Sequence, residues 1–170
     1  LLKQLNADEV EAVLAHELGH FKHKHITKRM LGMFVLSLIG FAVLGWLSQQ
    51  VWFYTGLGVT PSTAMAFGLP SHDDALALLL FMLALPVFTF WMAPLMAHFS
   101  RRDEFEADAY AMQQANGSAL ASALLKLYED NASTLTPDPV YARYYYSHPP
   151  AVERLARMPQ PATPNPVSAA

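Results

Sequence analysis

Residues 30–54 read MLGMFVLSLIGFAVLGWLSQQVWFY, and no acidic or basic side chain occurs between Arg29 and Asp73. As a helix this stretch is long enough to cross a hydrocarbon layer of about 30 Å. A second uncharged run, ALALLLFMLALPVFTFWMAPLMA at 75–97, contains Pro86 and Pro94. Proline breaks a soluble helix but is tolerated in a membrane helix, where neighbours satisfy the freed carbonyls. The chain has only 170 residues, too few to wrap two such helices in polar layers. An all-α fold is expected, an integral-membrane helical hairpin with polar helical segments at both ends.

The rest of the composition narrows the partners. Charged residues make up 15% of the chain and apolar ones 53%, against about 25% charged in an average soluble domain. Disorder and coiled coil are therefore disfavoured. The net charge is −3 without a basic face, which argues against nucleic acid and leaves the lipid bilayer as the expected environment. There is no cysteine. Disulfides, thiolate ligands and cysteine nucleophiles are excluded, so a metal site would be built from His, Asp and Glu. The chain opens LLKQLN from Leu1 with no signal-peptide pattern, as expected of an internal or C-terminal piece of a longer protein.

The flanking charges set an orientation. Lys22, Lys24, Lys28 and Arg29 precede the first span, Arg101 and Arg102 follow the second, and the connector 55–74 carries only Asp73 and Asp74. The positive-inside rule places both outer ends in the cytoplasm. Asn6 caps a helix with Glu9 closing a capping box and Leu5 stapling onto Val10. That helix should run through KHKH toward the first span. After the second span, 102–115 has helical composition and ends at Asn116-Gly117. Ser118 then caps a helix to about Asp130. Prolines punctuate the chain from Leu135, with a short helix at 151–158 and a disordered tail at 159–170.

His16-Glu17-Leu18-Gly19-His20 is an H-E-x-x-H motif within the first helix. His16 and His20 share a helical face, so both imidazoles can reach one Zn²⁺, while Glu17 beside them can take a proton from water without being a ligand. Catalytic zinc takes a third protein ligand. The metzincin pattern needs Gly at 23 and His at 26, whereas His23 and Ile26 stand there. A carboxylate from a second helix is the alternative, with Asp103, Glu104, Glu106 and Asp108 as candidates. Glu104 and Asp108 lie one turn apart on a face shared with Ala107 and Ala111, which would let two helices approach closely. Glu104 is the expected ligand and Asp108 its supporting acid.

HELGHFKHKH, SRRDEFEADAYA and YSHPPAVERL, in this order and with two spans between the first two, resemble the CaaX prenyl protease 1 family of integral-membrane zinc metalloproteases. The resemblance runs from about Asn6 to Leu155. It implies one Zn²⁺ per chain on His16, His20 and Glu104, with Glu17 as general base. It also implies an Asp108–Arg154 ion pair supporting the site, and His148 approaching the reacting carbonyl. His25 matches a histidine that commonly follows the zinc motif in that family, and His23 stands where an apolar residue is expected. Members of the family have about seven membrane helices, so further upstream helices are expected partners of the two seen here.

The expected activity is a membrane-embedded zinc endopeptidase spanning residues 1–158, with a cytoplasm-facing site. It comprises a zinc-motif helix (1–29), two membrane helices (30–54 and 75–97) and a third-ligand segment (100–158). Its substrates are peptides or proteins, with prenylated CaaX peptides as the class the resemblance implies. An HtpX-type quality-control protease shares several of these motifs, although the HELGHFKHKH continuation favours the first family. A membrane module with a purely structural zinc would have no use for Glu17. Tyr141, Tyr144, Tyr145 and Tyr146 rival His148 as donors to an oxyanion. His72 and His98 receive no role, and the sequons at Asn116 and Asn131 are discounted on topology.

Overall fold

A computed structural model describes residues 4–61, 73–131 and 134–159, together with the backbone of 65–66 and 69–70. His72, Ser133 of the second sequon and all of the expected tail except Pro159 lie outside the described residues. Among those described, the helices are α1 (Ala7–Lys22), α2 (His25–Leu47), α3 (Val51–Gly56), α4 (Asp74–Gln114), α5 (Gly117–Asp130), α6 (Pro139–Tyr145) and α7 (Ala151–Leu155). Strand pairing among them amounts to a two-residue antiparallel pair, with Met65 opposite Pro70 and Ala66 opposite Leu69. The fold is all-α, and it divides into two compact units, Leu1–Ile26 with Ala93–Ala170, and Thr27–Met92.

Within Thr27–Met92, α2 and α4 are long and apolar enough to cross a membrane, and their apolar windows are almost wholly exposed. Phe41, Phe88 and Trp91 all face outward, which a core helix of a soluble protein would not permit. The first apolar helix differs from the expected 30–54. It starts earlier, at His25, and stops at Leu47, after which α3 forms a separate short helix. Polar groups make the break: Ser48 Oγ donates to the Gly45 carbonyl and the Tyr54 hydroxyl donates to the Ser48 carbonyl at 2.7 Å. The turn lets Phe53 and Tyr54 pack with Ala77 and Leu80 in a small core. The second span and the helix expected after it are one continuous helix, α4. Pro86 and Pro94 lie inside it, and the Pro86 carbonyl accepts a bond from Thr89 Oγ1.

The other unit is built on α1 and α5. The capping box is complete: Glu9 N donates to Asn6 Oδ1, and Asn6 N donates to Glu9 Oε2. Glu9 is buried and also receives Ser122 Oγ at 2.6 Å and Lys126 Nζ at 2.7 Å from α5. One carboxylate thus closes a helix start and ties two helices together. Small residues fill the interface, with Ala12 and Ala15 against Ala111, Leu120 and Leu124. The α5 cap is Asn116, whose Oδ1 accepts from Ser118 N, not Ser118 itself. The helix α1 does not run through KHKH. It ends at Lys22, and Lys24 takes a left-handed conformation at φ 56° before α2 begins. No glycine or asparagine marks that stop. What holds it is tertiary, because the turn carries His25 into a buried position beside His20. The helix α6 was not anticipated, although Asp138 caps it by accepting from Tyr141 N and Pro139 suits its first turn.

The hydrogen bonds from Lys126 and Ser122 hold the Glu9 carboxyl down to about 2, from an ordinary 4.5. A depressed carboxylate contributes stability that is present above its unfolded pKa and lost as pH falls toward the folded one. Wild-type stability should therefore decline between about pH 4.5 and 2, a component that Glu9→Ala lacks. At neutral pH the same substitution should destabilise by about 2–3 kcal/mol, since it removes hydrogen bonds to a charged group together with half of the cap. Chemical unfolding of the detergent-solubilised protein across pH measures both effects.

Candidate metal centre

Two helices bring the site together. On α1, His16 and His20 lie one turn apart, and the polar end of α4 carries Glu104 and Asp108 on one face. The helices meet where Gly19 faces Ala107. A Cβ on Gly19 would stand 3.0 Å from the Ala107 Cα and 3.1 Å from its carbonyl oxygen. Ala107 and Ala111 are fully buried on this face, as their small size allows.

The donor atoms converge. His16 Nε2 is 3.2 Å from His20 Nε2. Glu104 Oε2 is 3.7 Å from His16 Nε2, and Glu104 Oε1 is 3.5 Å from His20 Nε2. These separations approximate the edges of a tetrahedron whose corners stand about 2.0–2.1 Å from a central ion. The surroundings fix which nitrogens point inward. His16 Nδ1 lies 2.9 Å from Asp108 Oδ1, close though not aligned as a linear hydrogen bond. His20 Nδ1 is 3.0 Å from His25 Nδ1, and His25 Nε2 is 3.2 Å from Glu106 Oε2. With the carboxylate accepting from His25 Nε2–H, His25 Nδ1 accepts from His20, and the lone pair of His20 is left on Nε2. Two ring lone pairs and a carboxylate then face one another, an arrangement that a cation between them resolves. These residues fit a divalent metal ion.

The electrostatics agree. Glu104 and Asp108 are buried beside Arg154, the one arginine or lysine buried among the described residues. Arg154 donates from Nε and Nη2 to the two oxygens of Asp108 at 2.8 and 2.6 Å, and its Nη1 is 3.5 Å from Glu104 Oε2. Burial alone would raise both carboxyls. For Glu104 the His148 ring, Arg154 and His16 outweigh it, and for Asp108 the adjacent His16 ring and the bonds from Arg154 do, so both sit below their ordinary values. Burial lowers His20, which favours the neutral ring that a ligand requires.

A cavity of about 890 Å³ opens over these groups. Glu17 lines it beside His16 and His20, and Leu120, Leu124 and Tyr128 form the facing wall. His148 is at its rim with a side chain 64% exposed, its Nδ1 3.1 Å from Glu104 Oε1. Of the rival tyrosines, Tyr145 and Tyr146 line the cavity, whereas Tyr141 and Tyr144 are not among its lining residues. The segment carrying His148 is clamped by Arg101, whose Nη1 donates to the Tyr146 carbonyl at 2.8 Å, and by Tyr128, whose hydroxyl donates to the Pro149 carbonyl. Arg101, Tyr128 and the His25–Glu106 contact were not anticipated as parts of the site. Arg101 left a trace in the sequence as a flanking charge, His25 by resemblance and Glu106 as a candidate ligand, whereas nothing marked Tyr128.

The profile of Peptidase family M48 matches residues 1–162. The chain belongs to peptidase family M48. This M48 chain is 34% identical over 150 residues to a CAAX prenyl protease 1 homolog of Arabidopsis thaliana, covering 88% of this chain and 33% of that protein. It is 31% identical over 168 residues to CAAX prenyl protease 1 of Saccharomyces cerevisiae, with coverages of 93% and 36%. The crystal structure of S. mikatae Ste24p superposes with a TM-score of 0.73 at 30% identity, over 89% of this chain and 36% of that one. The M48 chain thus spans about a third of the length of these relatives.

The Asp108–Arg154 pair generates a prediction. Breaking a buried pair leaves the survivor uncompensated and destabilises by about 3–5 kcal/mol. Asp108→Asn and Arg154→Ala should each lower the unfolding free energy of the M48 protein by that order. The double variant should lose distinctly less than the two losses combined. Additive losses in this cycle would show that the two residues act independently.

Proposed function

We propose that this chain carries the catalytic centre of a membrane-embedded zinc endopeptidase. The observation that carries the reading is the convergence of His16 Nε2, His20 Nε2 and the Glu104 carboxylate within 4.8 Å of one another, in a cavity that Glu17 also lines. Two imidazoles and one carboxylate form a ligand set typical of catalytic zinc, which keeps a fourth position open. A structural ion would need that position closed, and it would have no use for Glu17.

Zinc, when bound, supplies a Lewis acid for the scissile carbonyl and lowers the pKa of water to about 7. Glu17 takes the proton of the attacking water and delivers it to the amine nitrogen as the C–N bond breaks. His148 donates a ring N–H to the oxygen on which negative charge develops. Asp108 orients His16, and Arg154 holds Asp108 in turn. The leucines of α5 give the cavity an apolar wall, suited to an extended peptide with apolar side chains near its cleavage point. Membrane-associated peptides follow from the two apolar helices. The names of the relatives make prenylated CaaX-type C-termini one substrate class to examine. The basic flanks Lys22, Lys24, Lys28, Arg29, Arg101 and Arg102 favour a site that faces the cytoplasm.

Glu17→Gln should keep its zinc and lose peptidase activity by about 10²–10⁴-fold, the range for a general base. His16→Ala, His20→Ala and Glu104→Ala should each lose the ion. Metal content by mass spectrometry and cleavage of a fluorogenic peptide decide this. Zinc held by Glu104→Ala as tightly as by wild type would remove the third ligand from the scheme.

Orientation is tested with single cysteines at Thr60 and Thr134, both exposed. A membrane-impermeant maleimide should label them from opposite sides, Thr134→Cys from the cytoplasm. Labelling from the same side would overturn the hairpin.

A further inference from the structure

His23, His25 and Glu106 form a second group of metal-ligating side chains, separate from His16, His20 and Glu104, with donor atoms within 4.8 Å of one another. His25 Nε2 is 3.2 Å and His23 Nδ1 3.9 Å from Glu106 Oε2, and Asp103 Oδ1 is 3.7 Å from His25 Nε2. The left-handed turn at Lys24 builds the group, because it sets the two rings parallel, 5.5 Å between centroids and 14° apart in plane. His25 is buried, whereas the side chains of His23 and Glu106 are 39% and 35% exposed. An ion could therefore enter from solvent; Arg102 Nε donates to Glu106 Oε1 at 3.3 Å, which leaves Glu106 Oε2 as the oxygen facing the two histidines. Two imidazoles with one or two carboxylates suit a borderline divalent ion such as Zn²⁺, Co²⁺ or Ni²⁺. We propose that His23, His25 and Glu106, with Asp103 in reach, form a second site for a divalent transition-metal ion, and that filling it opposes metal binding at the first.

The opposition comes from the contact the two groups share. His20 and His25 face each other through their Nδ1 atoms at 3.0 Å, and only one of the two can donate. An ion on His20 Nε2 leaves the N–H of His20 on Nδ1, donating to His25. An ion on His25 Nε2 leaves the N–H of His25 on Nδ1, facing that of His20. Each occupancy turns the shared hydrogen bond the way the other forbids, and such coupling is reciprocal. Excess metal would then inhibit the enzyme by loosening the catalytic ion. This consequence rests on the peptidase reading above, whereas the second site itself does not.

The test is equilibrium dialysis of the purified, detergent-solubilised protein against graded Zn²⁺, with metal content read by mass spectrometry and the experiment repeated with Co²⁺ for its absorption spectrum. Wild type should bind one ion tightly and a second about tenfold or more weakly, and peptidase activity should fall as the second fills. His23→Leu should weaken the second ion about tenfold or more, leave the first in place, and abolish inhibition by excess metal, whereas Glu106→Gln should weaken the second ion by a similar factor and, as the partner of His25, loosen the first as well. His16→Ala should lose the tight ion and bind the remaining one about fivefold or more tightly than wild type binds its second. The ion retained in each variant shows that it has folded. Binding of no more than one ion by wild type, or a second ion unaffected by both His23→Leu and Glu106→Gln, would overturn the proposal. Retention of both ions by His16→Ala would overturn the assignment of the first site, an outcome distinct from failure of the second.

Discussion

Gly19 and Ala107 bring the backbones of α1 and α4 into contact, so that a Cβ at Gly19 would stand 3.0 Å from the Ala107 Cα, tighter than an ordinary contact. The metal-ligating geometry depends on this approach. His16 and His20 reach toward Glu104 from one helix to the other, and imidazole and carboxylate arms are too short to bridge a wider gap. The atoms a Cβ at Gly19 would press on are mostly backbone, so the small shift it needs would fall on the helix pair rather than on a flexible side chain. Alanine at positions 12, 15, 107 and 111 continues the same principle along the interface.

A close-packed pair of helices carrying buried carboxylates needs compensation, and the chain supplies it in two places. Glu9 is satisfied by its own helix start and by Ser122 and Lys126 from α5. Glu104 and Asp108 share Arg154, brought by α7 on the far side of the proline-rich segment. One positive charge for two carboxylates leaves the centre a net acceptor of a cation. That imbalance is expensive in an apolar surrounding and is what a metal ion would correct. The same arginine ties α7, and with it the His148 segment, to the helix bearing the candidate ligand Glu104.

The histidines beyond the motif extend this logic. His25 lies behind His20, the two Nδ1 atoms 3.0 Å apart, and Glu106 Oε2 stands 3.2 Å from His25 Nε2 in turn. Such outer partners fix the tautomer of a ligating ring. They exist because α1 stops at Lys22 and the chain turns through Lys24. A helix continued through KHKH would have sent His23 and His25 along other faces of the same cylinder.

The amino-acid sequence by itself determined whatever depends on short-range pattern. The uncharged runs set two long apolar helices, Asn6 and Glu9 set the start of α1, and the spacing of His16 with His20 and of Glu104 with Asp108 put each pair on one face. Such features follow from helical periodicity and capping chemistry, which are local. Tertiary structure decided the rest. The stop after Lys22 has no glycine or asparagine to mark it, and the turn through Lys24 goes with the burial of His25. The break at Ser48 goes with the packing of Phe53 and Tyr54 on Ala77 and Leu80 of α4. The helix α4 continues past Ala97 to Gln114, where sequence suggested a membrane helix and a separate polar one. The pairing of Arg154 with Asp108, expected only by resemblance to a family, joins residues far apart in the chain. Contacts of that kind arise when several elements pack at once, and no window of neighbouring residues contains the forces that select them.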